Sequence, residues 1–158
     1  MSFQNQFTKT TTDANLMETV HHGSAEYPFR YYYENIALFD FKCIDWHWHS
    51  ELEFIYIESG NVVFDIGTVH FELNEGNGIM INSKILHRLQ SSSDAIIPNF
   101  LFQPSFIAQP DSLIYKKYIN PVISSSLEYL VFQPDIPWQK KALEIIKTII
   151  AVQETEFN

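Results

Sequence analysis

The feature that most constrains this chain is a succession of short strand-like segments between Tyr27 and Phe106. "YPFRYYY", "FDFKCID", "NVVFDIG", "TVHFELNEG", "GIMIN" and "LHRLQ" follow one another, punctuated by Gly, Asn or Ser, and "AIIPNFLFQPSF" follows the loop "SSSD". Gly60-Asn61, Gly67-Thr68 and Gly76-Asn77-Gly78 mark tight turns, because Gly and Asn enter positive φ at little cost. Many short strands at regular spacing fold as a barrel or a sandwich. Aromatic residues make up 15% of the chain, which suits sheet faces or a pocket built from rings.

The pattern changes at both ends. Residues 1 to about 26 are polar and lack periodicity, so they read as a flexible N-terminal arm in which His21-His22 is solvated. After Pro110, "DSLIYKKYI" opens on an Asp-Ser capping pair and reads as a short helix ending near Pro121. "SLEYLVF" fits a strand or a helix. "IPWQKKALEIIKTIIAVQETEF" is the clearest helix, with Trp138, Ala142, Leu143, Ile146, Ile149 and Ile150 on one apolar stripe. That stripe covers the chain's own barrel or a partner helix. The expected organisation is an arm (1–26), a β-barrel (27–110) and a helical segment (111–158).

The net charge of −9 disfavours contact with a phosphate backbone by this chain itself. The single cysteine, Cys43, excludes an intramolecular disulfide and a multi-cysteine zinc site. No secretory signal or membrane-spanning run is apparent, and a cytoplasmic protein is expected.

Chemistry concentrates in "HWHSELEFIYIESG", residues 47–60. On one regular strand His47, His49 and Glu53 share a side, while from Leu52 onward both faces are apolar. The polar triplet then sits at one end of an enclosed space. His87 opens a later strand able to aim at the same space. Three imidazoles and a carboxylate suit Zn, Ni, Mn or Fe. The same four groups equally suit a metal-free pocket for an effector, or a set of side chains satisfying one another. Glu51 is expected to turn outward at a bulge. Trp46 and Trp48 are expected to pack on the opposite face, while Tyr31 and Tyr33, with Arg30 before them, are candidates to line the pocket.

His47, His49, Glu53 and Gly60 stand at the spacing of the first cupin motif, with Phe41 where that motif opens on Gly. Gly76, Asn82, Lys84, His87 and Ser91 occupy the places of the second; its Gly and His are kept, while its Pro, second Gly and Asn are not. The chain thus resembles the cupin superfamily. Its texture over about residues 27–153 is similar to the N-terminal sensing domains of AraC-type transcriptional regulators. The resemblance implies a mainly β fold, a cupin (double-stranded β-helix, jelly-roll) barrel followed by C-terminal α-helices. It also implies a small-molecule effector such as a sugar or organic acid, no catalytic role, and a homodimer formed through the C-terminal helices. DNA would be met only through a pair of helix-turn-helix units, which this sequence lacks, so the sequence reads as the sensor half of a longer regulator. The alternative is a stand-alone metal-dependent cupin enzyme, an oxygenase or isomerase, with His47, His49, Glu53 and His87 as ligands.

Overall fold

A computed structural model describes residues 8–156. Nine strands form two antiparallel sheets facing one another. β1 (Phe29–Asn35), β8 (Ile96–Phe102), β3 (Leu52–Tyr56), β6 (Gly78–Ile81) and β9 (Tyr129–Phe132) make a five-stranded sheet in that order. β2 (Cys43–His47), β7 (His87–Gln90), β4 (Asn61–Ile66) and β5 (Val69–Asn74) make the other, again in that order. This is the mainly β, jelly-roll cupin barrel that the strand spacing and the motif imply.

Alternation along β3 explains why the five-stranded sheet is covered on both sides. Ile55 and Ile57 point inward and join Ile36, Phe64, Ile66, Ile79, Ile81 and Leu89 in the core between the sheets. Leu52 and the partly buried Phe54 point outward, into a second core with Phe29, Phe100, Phe102 and Phe132. Phe54 lies opposite Phe100 in the β3–β8 ladder, and the two rings stack with centroids 5.3 Å apart. Such cross-strand aromatic pairs stabilise a sheet beyond the area they bury. Pro98 sits in β8 just outside the part paired with β3, where its missing N–H costs least.

The long helix covers the outer core. α2 (Pro137–Glu156) lays Leu143, Ile146 and Ile150, all buried, against Phe132, Met80 and their neighbours. Ala142 and Ile149, partly buried, pack on the same core, so five of the six stripe residues serve the chain's own barrel. Trp138, at the head of that stripe, remains 56% exposed.

Three segments depart from the sequence reading. Residues 47–53 are not one strand: β2 ends at His47, residues 48–51 form a bend, and β3 begins at Leu52. "SLEYLVF" resolves as a strand, since β9 pairs with β6, and so strand structure continues past residue 110. The helix after Pro110 begins where Ser112 Oγ accepts the Tyr115 N–H. It then runs through a π-helical turn (Tyr115–Ile119) into α1 (Asn120–Ile123), passing Pro121, which sits in the first turn of α1 where no N–H is needed.

Residues 8–26, read as a flexible arm, fold across one mouth of the barrel; residues 1–7 lie outside the described residues. The Glu18 N–H donates to Trp48 O (2.9 Å), the Trp48 N–H to Leu16 O (3.0 Å) and Trp48 Nε1 to Asn15 O (2.9 Å). Trp48 is thus a clamp for the N-terminal segment as well as a packing residue.

Leu143→Ala should lower the unfolding free energy by about 2–5 kcal/mol in urea titration, the cost of a cavity under a buried leucine. Lys141→Ala, on the exposed side of the same helix, should change it by less than about 0.5 kcal/mol.

Candidate functional site

Four elements deliver the motif residues to one place. His47 ends β2 directly opposite His87, the first residue of β7, and their ring centroids are 4.2 Å apart. Glu53 points inward from β3, with the parity of Ile55. His49 comes from the bend. That bend is held by the segment after β6: the Lys84 N–H donates to His49 O (2.8 Å) and Ser83 Oγ to Ser50 O (2.6 Å). Lys84 adopts φ 63°, a left-handed conformation, which accounts for the glycine that the second cupin motif carries there. His47, His49, Glu53 and His87 therefore converge although they are not on one strand.

The imidazoles share one orientation. His47 Nδ1 donates to Asp45 O (2.7 Å), His87 Nδ1 to Ile85 O (2.7 Å) and His49 Nδ1 to Glu51 O (3.1 Å). A carbonyl only accepts, so each Nδ1 carries a proton and each Nε2 is left facing the cluster. His87 Nε2 lies 3.1 Å and His49 Nε2 3.5 Å from the same oxygen, Glu53 Oε2. His49 Nε2 is buried and makes no hydrogen bond among the described residues. Nitrogen lone pairs opposite a buried carboxylate repel unless positive charge lies between them. One nitrogen from each of the three histidines falls within 4.8 Å of the others, a spacing able to hold a metal ion.

The titration of these groups follows from that crowding. Burial opposes ionisation of Glu53, but its close contacts with His49 and His87 and their charge overcome it and hold the carboxyl well below its usual range. Burial likewise opposes charging of His49, and its contact with Glu53 prevails and raises its pKa. At His47 burial, reinforced by His87, outweighs the pull of Glu18 and Glu53 and pushes the pKa down to about 3, so it is neutral at ordinary pH.

The N-terminal segment adds two groups that sequence reasoning missed. Glu18 Oε1 lies 3.1 Å from His22 Nε2, and its other oxygen lies 3.8 Å from His47 Nε2. His22, expected to be solvated, is buried, with its Nδ1 2.7 Å from Tyr32 Oη and its ring edge-on to His49. Nothing in "METVHHG" distinguishes a docked segment from a solvated one. Glu51 is corrected in the same sense: the bend turns it inward, where its Oε1 accepts from Gln103 Nε2 (3.1 Å).

Between the sheets and this segment lies a cavity of about 70 Å³ open to the centre of a water molecule. Its polar lining is Glu18, His22, Tyr32, Glu34, His47, Glu53 and Asn99; Ile44, Leu89, Ile97 and Leu101 form apolar walls, with Lys9, Thr10 and Thr11 at the rim. Of the residues expected to line the pocket, His47 and Glu53 do and His49 and His87 do not; Tyr31 and Tyr33 are not among the lining residues either. They point to the outer face of the sheet, where Tyr31 Oη donates to Glu154 Oε1 (3.0 Å) and Tyr33 Oη to Glu58 Oε2 (2.7 Å). Tyr32 and Glu34 occupy the inner face instead. The signal was present in β1, since Arg30, Tyr32 and Glu34 form its more polar parity and a polar cavity takes the polar face.

These observations meet an independent one. Residues 40–109 match the AraC-like ligand binding domain family. This region is an AraC-like ligand-binding domain. The chain is 31% identical over 140 residues to the uncharacterized HTH-type transcriptional regulator YdeC of Bacillus subtilis, a match that covers 87% of this chain and 47% of that protein. It spans about half the length of this curated relative. Among solved structures, a cupin-2 domain protein from Shewanella frigidimarina superposes on 46% of this chain and 69% of that one (14% identity, TM-score 0.41). A cupin superfamily protein from Desulfitobacterium hafniense superposes on 48% and 68% (10% identity, TM-score 0.44). The AraC-like domain begins in the turn before β2 and ends after β8, so it contains all four motif residues, whereas Glu18, His22, Tyr32 and Glu34 lie ahead of it.

Glu34 gives this domain a titration inside the physiological range. Burial pushes its carboxyl up to about 7, against a hydrogen bond from Asn99 Nδ2 (2.8 Å), and the charges of Glu53 and Glu18 add to the rise. An acid whose folded pKa is raised binds its proton more tightly when folded, so stability is full below the unfolded pKa and declines from there up to the folded one. Glu34→Gln should remove that decline. Relative to wild type it should gain stability between pH 5 and pH 8, by up to about 3 kcal/mol, in paired thermal melts; an identical pH response in both proteins would refute the assignment.

Proposed function

We propose that this chain is the effector-sensing and dimerisation part of an AraC-type transcriptional regulator, with residues 1–26 acting as arm, 27–110 as the barrel that β9 completes, and the helices within 111–158 as dimerisation and linker segment. The observation that carries this reading is the cavity itself. It is polar, it lies at the end of a closed barrel, and its roof is a separate segment of chain held by a few hydrogen bonds to Trp48. A ligand that contacts both wall and roof binds one arrangement of the roof better than another, and that difference is the free energy available to bias the rest of a longer protein. DNA contact belongs, in this reading, to helix-turn-helix units of the kind named for the Bacillus relative.

The lining narrows the effector. Three carboxylates, Glu18, Glu34 and Glu53, face the cavity, and the buried hydroxyl of Thr10 is without a hydrogen-bond partner among the described residues. This favours a small polyol or an amine-bearing compound over a free organic acid, whose charge Glu18 and Glu53 repel. The volume corresponds to several water positions, enough for a ligand of a few heavy atoms.

A metal fits the donor set as well. His47, His49 and His87, each offering one nitrogen within 4.8 Å of the others, would hold a divalent ion such as Zn, Ni, Mn or Fe together with Glu53 beside them, and their Nδ1 atoms are fixed by backbone carbonyls, the usual outer support of metal-bound histidine. Such an ion would supply a Lewis-acidic anchor for an oxygen-bearing effector. The same donors support the second reading, a metal-dependent cupin enzyme of the oxygenase or isomerase type, which requires turnover as well as binding.

The dimer is supported by α2. Trp138, Ile145 and Val152 follow one another at heptad spacing on its exposed side, the repeat of a position in the seam of paired helices. Trp138, Ile145 and Val152 are 56%, 58% and 44% exposed, while the neighbouring stripe of Leu143, Ile146 and Ile150 is spent on the barrel. No helix of the described residues is long and apolar enough to cross a membrane.

Two measurements test the proposal. In a thermal-shift screen of polyols, amines and organic acids in the presence of chelator, a neutral or cationic compound should raise the melting temperature, and Asn99→Ala should abolish the response. A panel in which only acids stabilise the protein overturns the assignment of ligand class. In analytical ultracentrifugation Ile145→Asp should convert a dimer to monomers without loss of fold; a wild-type chain that is monomeric at tens of micromolar rules out the seam.

A further inference from the structure

Glu18 is the one carboxylate that the N-terminal segment brings to the histidine cluster, and neither the cupin motif nor the AraC-like match accounts for it. Its position is fixed from both sides. The Glu18 N–H is bonded to Trp48 O and the Thr19 N–H to Thr11 O, each 2.9 Å, so the backbone carrying it is tied to the residue between His47 and His49. The side chain then reaches inward, with one oxygen 3.8 Å from His47 Nε2 and the other 3.1 Å from His22 Nε2. Two imidazole nitrogens of this neighbourhood, His49 Nε2 and His22 Nε2, are buried without a hydrogen bond among the described residues. Their residues are only 4% and 8% exposed. Each of these nitrogens faces a carboxylate, Glu18 at His22 and Glu53 at His49, with little access to water, a setting that a bound cation stabilises.

We propose that Glu18 is an additional ligand to a divalent transition-metal ion held by His47, His49, His87 and Glu53, so that the ion fastens residues 8–22 over the cavity. This rests on the metal occupancy suggested above and gives it a consequence: the metal acts as the effector, or as the condition under which an organic effector is enclosed. Two carboxylates and three neutral imidazoles carry a formal charge of −2, matched by a dication. Without the ion Glu18 and Glu53 face the same small space as like charges, which weakens the docked arrangement of the segment. With the ion bound, the same two charges become attached to one centre, one from the barrel and one from the segment. Segment docking and metal affinity are then reciprocally linked, each strengthening the other by the same factor.

The test uses the whole chain, stripped with chelator and titrated with Zn²⁺ alone. Calorimetry should give one tight site in wild type and in Glu26→Gln, an exposed control ahead of the barrel, and an affinity at least about tenfold weaker in Glu18→Gln. In amide hydrogen exchange, Zn²⁺ should slow exchange at Glu18, Thr19 and Trp48 in wild type and leave those amides unchanged in Glu18→Gln. The exchange measurement on wild type stands by itself should Glu18→Gln fold poorly: zinc that binds without protecting these three amides overturns the proposal. Equal zinc affinity in wild type and Glu18→Gln overturns it as well. Absence of any zinc binding by wild type also refutes it, yet leaves the sensor reading intact, because the effector screen is run in chelator and answers separately.

Discussion

Three hydrogen bonds from imidazole Nδ1 to backbone carbonyls determine the character of this molecule more than any other contacts. Each costs the fold little, because the acceptor lies two residues away in the same local turn or bend. Together they turn Nε2 of His47, His49 and His87 toward the cluster, beside the buried carboxylate of Glu53, which His87 Nε2 meets at 3.1 Å. Had the rings been free to flip, the cluster could have satisfied itself by pairing N–H groups with Glu53. With the tautomers fixed, it is satisfied only by an added proton or an added cation. The raised pKa of His49 and the depressed one of Glu53 express the first solution; the ligand spacing admits the second.

The barrel around the cluster is built so that such a demand can be maintained. Covering both faces of the five-stranded sheet, by the inner core and by α2, keeps Glu53 and His87 away from bulk water, where the problem would dissolve into hydration. The inner apolar residues Ile55, Ile79 and Ile81 lie below the site and the N-terminal segment lies above it. Polar groups concentrate in the one layer between them. This is the usual economy of a binding barrel: rigid strands carry the donors, and a loosely held segment decides access.

Legibility in the sequence divided along physical lines. The strand succession, the helix from Pro137 and the convergence of His47, His49, Glu53 and His87 could all be read, since they follow from turn residues, periodicity and a spaced motif. The single-strand picture of residues 47–53 could not survive, because one bend at Ser50-Glu51 breaks the alternation on which it rested. The same bend brought Glu51 inward. Tyr31 and Tyr33 were misassigned for a simpler reason: both parities of β1 are aromatic, and only the polar partners Arg30 and Glu34 distinguish the cavity face. Glu18 and His22 were illegible in a stronger sense. Their docking depends on Trp48 and on a backbone bridge between segments some thirty residues apart, and no local pattern encodes such a contact.

β1 joins the two halves of the molecule. Tyr32 turns its hydroxyl to His22 inside the cavity, and the next residue back, Tyr31, turns its own to Glu154 near the end of α2. Adjacent residues on a strand face opposite sides, so any displacement or twist of β1 that follows the roof is passed to the helix without an intermediary. A change of this kind has meaning only if the ligand prefers one position of β1 to another, and Tyr32 supplies the preference because it contacts the roof and lines the cavity together. In the proposed dimer the helix would carry the difference outward to Trp138, Ile145 and Val152, the exposed surface on which a second copy would register it. Sensing and pairing are on this view linked through two successive tyrosines, and the strength of the linkage is set by how stiffly the N-terminal segment is tied to the cluster beneath it.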